Sequence, residues 1–297
     1  MTPSPTPPDF QETARLIRCH SIAAIFAATS GHPGGALSAA DLLAYLYETE
    51  IGPEDARDTD ITRNRFVLSK GHACPALYAA LALKGQIAPA DTVQLRKFAS
   101  PLQGHPHVGA IRAVETSTGS LGQGFSAALG MALGIRHQGG SGRVYVMLGD
   151  GEMQEGEVWE AALCAAHYKL DTLTAILDYN KMQSDDLNAN ILGLEPLADK
   201  WRAFGWHVVE IDGHDFSAIA AAVTKAKTTR EKPTLILAHT LKGKGVSFME
   251  GYPTWHGSVT MSLDDSEKSL LDLGVAKADL PGWLDGTIHA AAAGATT

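Results

Sequence analysis

The run Val144-Tyr145-Val146-Met147-Leu148-Gly149-Asp150-Gly151, a helix-length stretch from Gly156 to Tyr168, and then Leu173-Thr174-Ala175-Ile176-Leu177-Asp178-Tyr179-Asn180-Lys181-Met182 decide how this chain is read. Two short apolar runs flank an amphipathic segment, and neither run alternates. A strand that is apolar at every position has both faces covered, which is the mark of a parallel sheet packed between helices. The same pattern extends outward. Arg65–Ser69 precedes the Ala-rich Ala76–Leu83, His207–Ile211 leads to Phe216–Lys227, and Thr234–Ala238 closes the series. At the front, Leu16, Ile17, Ile22, Ile25 and Phe26 follow a helical period over Glu12–Thr29. Ser38 reads as the N-cap of a helix over Ala39–Glu48. The expectation is an α/β fold with a doubly wound, mostly parallel sheet and helices on both faces. It forms one domain over residues 11–285, between a disordered Pro-rich tail at 1–10 and a frayed tail at 286–297.

Composition narrows the partners. The 297 residues carry 24 Lys and Arg against 33 Asp and Glu, a net charge of -9, so neither nucleic acid nor an anionic membrane is expected. A polyanionic ligand must then be held locally, by a metal or by helix N-termini. Cys19, Cys74 and Cys164 have no paired spacing, which fits buried thiols in a reducing compartment. Met1–Pro8 has neither the basic nor the apolar region of a signal peptide, and no run is apolar and long enough to span a bilayer. A cytoplasmic location is the expectation.

Asp150 and Asn180 each follow a buried strand. In open parallel sheets ligands sit outside the carboxyl ends of the strands, so both side chains should reach one crevice. A carboxylate and an amide oxygen suit a hard cation such as Mg²⁺, which takes few protein ligands and completes its octahedron with phosphate oxygens and water. Alternatively Asp150 only caps the next helix and Asn180 only fills a turn. Their pairing across successive strands favours the metal.

Residues 149–183, GDGEMQEGEVWEAALCAAHYKLDTLTAILDYNKMQ, resemble the thiamine-diphosphate motif as transketolases carry it. Other segments resemble that family in the same order: Ser30-Gly31-His32-Pro33-Gly34-Gly35, Leu68-Ser69-Lys70-Gly71-His72, Gly104-His105-Pro106, Thr118–Gly124, Ile211-Asp212-Gly213-His214-Asp215 and Thr254-Trp255-His256-Gly257. The resemblance runs from about residue 12 to about residue 260. It implies that Asp150, Asn180 and the Met182 carbonyl bind Mg²⁺, with Ca²⁺ or Mn²⁺ as possible substitutes. By the same resemblance, Gly151, His72 and His256 approach the diphosphate of thiamine diphosphate, and Gly119 and Leu121 lie against its rings. His32 and His105 face substrate oxygens, and Glu155 and Glu160 lie near a subunit contact and the cofactor's proton relay.

The resemblance stops after the diphosphate-binding domain, at about half the length of a full transketolase chain. The pyrimidine-binding domain, its activating glutamate and the arginines that hold a sugar phosphate have no counterpart here. The resemblance therefore implies the N-terminal subunit of a split transketolase, moving a two-carbon ketol unit from a ketose (phosphate) donor to an aldose acceptor. The partner is a separate C-terminal subunit carrying the pyrimidine-binding domain, in an α₂β₂ assembly. Alternatives are another enzyme of the same branch (1-deoxyxylulose-5-phosphate-synthase-like, or acting on an unusual sugar) and a non-catalytic cofactor-binding subunit.

Histidine supports the chemistry independently. Breaking a C–C bond beside a carbonyl needs an electron sink and proton transfers near neutral pH, where His titrates. Of 12 His, four (His32, His72, His105, His256) fall in Gly-rich loops. His20, His137, His167, His207 and His289 read as packing or surface residues, and His107, His214 and His239 read either way. Lys242-Gly243-Lys244-Gly245 is either a solvated basic loop or one that closes over the site. Gly119–Gly124 follows no strand and lacks the downstream ribose-binding acid, so it does not read as a dinucleotide fingerprint.

Overall fold

Five apolar segments pair into one sheet, all parallel, in the order β1-β2-β3-β5-β4. They are β1 (Arg65–Leu68), β2 (Val144–Gly149), β3 (Leu173–Tyr179), β4 (His207–Asp212) and β5 (Thr234–His239). This computed structural model describes residues 8–52, 59–184 and 186–288. The α-helices among the described residues are α1 (Phe10–Ala28), α2 (Pro33–Thr49), α3 (Cys74–Leu83), α4 (Gln123–His137), α5 (Gly156–His167), α6 (Asn188–Ile191), α7 (Leu197–Ala203), α8 (Phe216–Thr228), α9 (Leu263–Asp272) and α10 (Leu280–Asp285), with short 3₁₀ turns between some of them.

The sheet divides its side chains between two cores, as alternation along each strand requires. Tyr145, Met147, Ile176 and Ile236 join one apolar cluster with α1, α2, α3 and α8. Val144, Val146, Leu148, Ala175, Leu177 and Leu235 join the other with α4, α5 and α7. Every position of β3 is buried, and β4, at one edge, is half-buried. The doubly wound α/β expectation is met, with the sheet fully parallel. α2 is buried at 15 of its 17 residues. Its run of Gly and Ala lets it slide between α1, α3 and the sheet, where a helix must be apolar nearly all round.

Three expectations change. Ser38 does not cap a helix. α2 starts six residues before the expected Ala39, at Pro33, whose fixed φ suits a first helical turn, and the Ser38 hydroxyl donates to Asp178 Oδ2 at 2.6 Å. Asp9 and Phe10, assigned to the Pro-rich tail, are the N-cap and the first residue of α1. The Asp9 carboxylate accepts from Glu12 N at 3.0 Å, and the Phe10 ring lies 5.4 Å from that of Phe216. Residues 1–7 and 289–297 lie outside the described residues, while Ile288 N still donates to Gly282 O at 2.8 Å.

Register positions the site. Gly149 sits opposite Asp178, so the chain leaves β2 and β3 at one level, at their carboxyl ends. Asp150 and Asn180 follow immediately.

Candidate functional site

The carboxyl ends of β2 and β3 open into a cleft of about 190 Å³, lined among others by Asp150, Gly151, Asn180, Met182, His72, His256, Leu121, Glu155, Lys70 and Lys242. Asp150 is 2% exposed. Its Oδ1 accepts from Gly151 N at 2.9 Å and its Oδ2 from Lys181 N at 2.5 Å, so two backbone donors fix the carboxylate across the β2 and β3 loops. Asn180 Oδ1 accepts from Met182 N at 3.2 Å, and its amide donates to Ser38 Oγ at 3.4 Å. One carboxylate, one amide oxygen and the Met182 carbonyl edge the same space. These are hard oxygen donors carrying a single formal charge, the set that Mg²⁺ uses beside a phosphate. The residues fit the metal.

The cleft is electrostatically dense. Burial is the largest influence on the Asp150 carboxyl and pushes it up to about 6, against the pull of Lys242 and Lys70. Lys70 is 2% exposed, its ammonium contacting Asp178 Oδ2 and donating to the Gly35 carbonyl at 3.0 Å. Burial opposes the Asp178 charge, yet Lys70 and the Ser38 and Thr240 hydroxyls hold its carboxyl below the usual range. Lys242 is 1% exposed. Its ammonium donates to the Met182 carbonyl at 3.0 Å and contacts His256 Nδ1. Burial pushes that ammonium down to about 7, with Asp150 opposing. Lys242 is therefore a wall of the cleft and not a solvated basic residue.

Three imidazoles lie side by side, tilted to one another, beside these charges, with ring centroids 5.1 Å apart for His32 and His72 and 5.6 Å for His72 and His256. Burial, and then nearby cations, push His32 down to about 4 and His256 to about 3, and hold His72 well below its usual value. At neutral pH all three are uncharged, able to donate at one nitrogen and accept at the other. His32 Nδ1 is buried without a hydrogen-bond partner among the described residues, a cost that a bound polar group offsets. His105 packs on Gly119, whose φ of +146° favours glycine and where a Cβ would stand 3.1 Å from the ring. Gly34 admits close approach too: a Cβ there would meet Lys242 Cγ and the Trp255 carbonyl at 2.7 Å.

The cleft thus unites Asp150, Gly151, Asn180, Met182, His72, His256, Leu121 and Glu155. His32 adjoins it through His72, and His105 and Gly119 pair with each other. Glu160 is exposed on α5 and stands outside the cleft. Four polar residues were not singled out from sequence: Lys70, Asp178, Lys242 as an individual residue, and Glu152. The Glu152 carboxylate, 1% exposed, accepts from Ser69 Oγ at 2.5 Å, Gly122 N at 2.8 Å and Gly149 N at 3.0 Å. It ties three cleft loops together. The available signal was a charge abutting a fully buried strand, which must find partners.

Comparison with known proteins agrees with this geometry. Residues 10–278 match the family model described as transketolase, thiamine diphosphate binding domain. The chain is 46% identical over 243 residues to the 6-deoxy-6-sulfo-D-fructose transketolase subunit SqwG of a Clostridium species, covering 82% of this chain and 88% of that one. It is 40% identical to an apulose-4-phosphate transketolase subunit of Phocaeicola vulgatus, covering 79% and 83%. Human transketolase is 43% identical over 248 residues, which span 83% of this chain and 39% of the human one. The solved transketolase of Campylobacter jejuni superposes with a TM-score of 0.84 at 30% identity, over 93% of this chain and 46% of that one. No helix among the described residues is long and apolar enough to cross a membrane. The chain belongs to the transketolase family, whose thiamine-diphosphate-binding domain it carries.

Proposed function

We propose that this chain is the N-terminal subunit of a split transketolase, transferring a two-carbon ketol unit from a ketose (phosphate) donor to an aldose acceptor. The chain from Asp9 to Ile288 acts as its single cofactor-binding domain. The observation that carries this reading is the convergence of Asp150, Asn180 and the Met182 carbonyl beside two buried ammonium groups, at the ends of adjacent strands. The lengths of the matched relatives support the split: the chain spans most of two proteins named as subunits and 39% of human transketolase.

Asp150, Asn180 and Met182 hold Mg²⁺, which Ca²⁺ or Mn²⁺ can replace, and Gly151 and His72 contact the diphosphate. Lys242 joins them as a cation that is already desolvated. Gly119 and Leu121 shape the wall for the rings. Thiamine diphosphate supplies the electron sink for cleavage beside a carbonyl. His32, His105 and His256, kept neutral by burial and nearby cations, hold and exchange protons with substrate hydroxyl and carbonyl oxygens. Glu155 and Glu160 face the separate C-terminal subunit that carries the pyrimidine-binding domain, in a cytoplasmic α₂β₂ assembly.

The test is reconstitution. The chain mixed with a C-terminal transketolase subunit, Mg²⁺ and cofactor should transfer ketol units, and Asp150→Ala should abolish both that activity and metal-dependent cofactor binding. Comparable turnover by this chain alone would refute the split, and full activity of Asp150→Ala would refute the site.

A further inference from the structure

We infer that His214 is a positioning residue for the cleft: together with Asp41 it clamps the backbone at Leu241 and so sets where Lys242 stands. This rests on the cofactor-binding reading of the cleft given above.

β4 and β5 run side by side, and their last backbone rung is Gly213 N donating to His239 O at 2.8 Å. On the far side, Thr240 N donates to Tyr179 O at 3.2 Å. There the ladder ends, and Leu241 N–H loses its strand partner. The His214 side chain replaces it: Leu241 N donates to His214 Nε2 at 2.9 Å. A ring nitrogen that accepts carries no proton, so in a neutral ring the proton sits on Nδ1 and is donated to Asp41 Oδ2, 2.7 Å away.

Asp41 is fixed in turn. It lies on α2, is 6% exposed, and is paired with the Arg18 guanidinium of α1, whose Nη1 donates to Oδ1 at 3.3 Å. One chain of bonds therefore runs from α1 through α2 and the β4 turn to Leu241, the residue before Lys242. Beyond Lys242 the backbone is held again, by Gly243 N donating to Gly34 O at 3.1 Å. Lys242 is pinned on both sides, and its ammonium reaches the Met182 carbonyl and His256. His214 itself is not among the cleft-lining residues, so it acts through Lys242. Outer-shell partners of this kind typically change ligand affinity by roughly 10–100-fold when removed.

Three measurements on the full chain decide the matter. Long-range ¹H–¹⁵N NMR of the parent should show His214 protonated at Nδ1 alone. His214→Leu should weaken thiamine diphosphate binding in Mg²⁺ by roughly tenfold or more by calorimetry, and should speed hydrogen exchange across residues 241–251. His214→Gln, which offers an acceptor and a donor at similar spacing, should recover affinity to within about threefold of the parent. An Nε2-protonated or doubly protonated ring, or a leucine variant with parental affinity and exchange, overturns the inference. So does a glutamine variant no better than leucine. If His214→Leu fails to fold, the tautomer and the glutamine variant decide. A parent that binds no thiamine diphosphate refutes the cofactor reading instead, and the tautomer and exchange rates still judge the clamp.

Discussion

Exchanging Glu152 for glutamine removes one acceptor oxygen from a buried carboxylate at nearly constant volume. Three donors converge on that group: the Ser69 hydroxyl and Gly122 N–H on Oε1, and Gly149 N–H on Oε2. An amide has one oxygen, so its NH₂ must face a backbone N–H whichever way it is turned. If the oxygen serves Ser69 and Gly122, Gly149 is orphaned. If it serves Gly149, Ser69 can rotate and accept, but Gly122 is orphaned. The loss is one charge-assisted bond of about 1.5–3 kcal/mol, with a buried N–H left unpaired. Burial raises the Glu152 carboxyl above its usual value, so the neutral amide escapes part of a desolvation cost, which offsets some of the loss. The net is about 2 kcal/mol, a large share of a typical stability of about 5–15 kcal/mol. Urea unfolding should show a lower midpoint at unchanged slope. Ser69→Ala, which removes one bond to the carboxylate but orphans no backbone donor, should cost about 1.5 kcal/mol. A glutamine variant within about 0.5 kcal/mol of the parent would refute the claim that this carboxylate ties the three loops together.

Gly119→Ala puts a Cβ at φ +146° and 3.1 Å from the His105 ring, so the reconstituted enzyme should lose roughly tenfold in turnover with little change in circular dichroism; parental turnover would show that His105 tolerates displacement. Lys242→Met removes a buried ammonium while keeping its bulk, and thiamine diphosphate affinity should fall by roughly tenfold or more, read by calorimetry; unchanged affinity would take Lys242 out of the site. His32 and His256 are pushed down to about 4 and about 3 in the fold, whereas the unfolded chain binds those protons near pH 6.5. Fewer protons on the folded state mean that stability is fully present above about pH 6.5 and is lost as pH falls through the folded values. Allowing for partial solvent access, each histidine contributes on the order of 1 kcal/mol, while the raised Asp150 carboxyl takes up a proton over the same interval and works the other way. The urea midpoint of the parent should therefore fall between pH 7 and pH 4.5 relative to that of a His32→Gln/His256→Gln variant, and parallel profiles would mean that the imidazoles are not held neutral.

Much of the architecture was legible because burial on both faces leaves a plain mark. Most of the strands surfaced as nearly continuous apolar runs, the half-buried edge strand β4 less plainly because it carries Glu210, and the two candidate metal-site side chains surfaced as polar residues immediately after two of them. The start of α2 was hidden because Pro33-Gly34-Gly35 has the composition of a turn. Packing explains Gly34, where a Cβ would meet Lys242 and the Trp255 carbonyl, while the Gly35 carbonyl accepts from the Lys70 ammonium. Glu152, Asp178 and Lys70 were missed for a related reason. A charged residue read from sequence defaults to the surface, and these three are buried because they find partners in segments as far as 140 residues away. Glu160 is the converse case. Family resemblance marks it, but among the described residues no side-chain hydrogen bond or ion pair does, so the fold of this chain adds nothing to single it out.

The central claim is that Asp150 and Asn180 hold a divalent metal and, through it, the cofactor's diphosphate. Titration calorimetry of thiamine diphosphate into the purified chain, with Mg²⁺ and then with a chelator, tests it most directly, with Asp150→Ala run in parallel. The account predicts binding by the parent in Mg²⁺, at least roughly 100-fold weaker binding in the chelator, and the same loss for Asp150→Ala in Mg²⁺. Binding of equal strength with and without metal, or undiminished by the substitution, would contradict it.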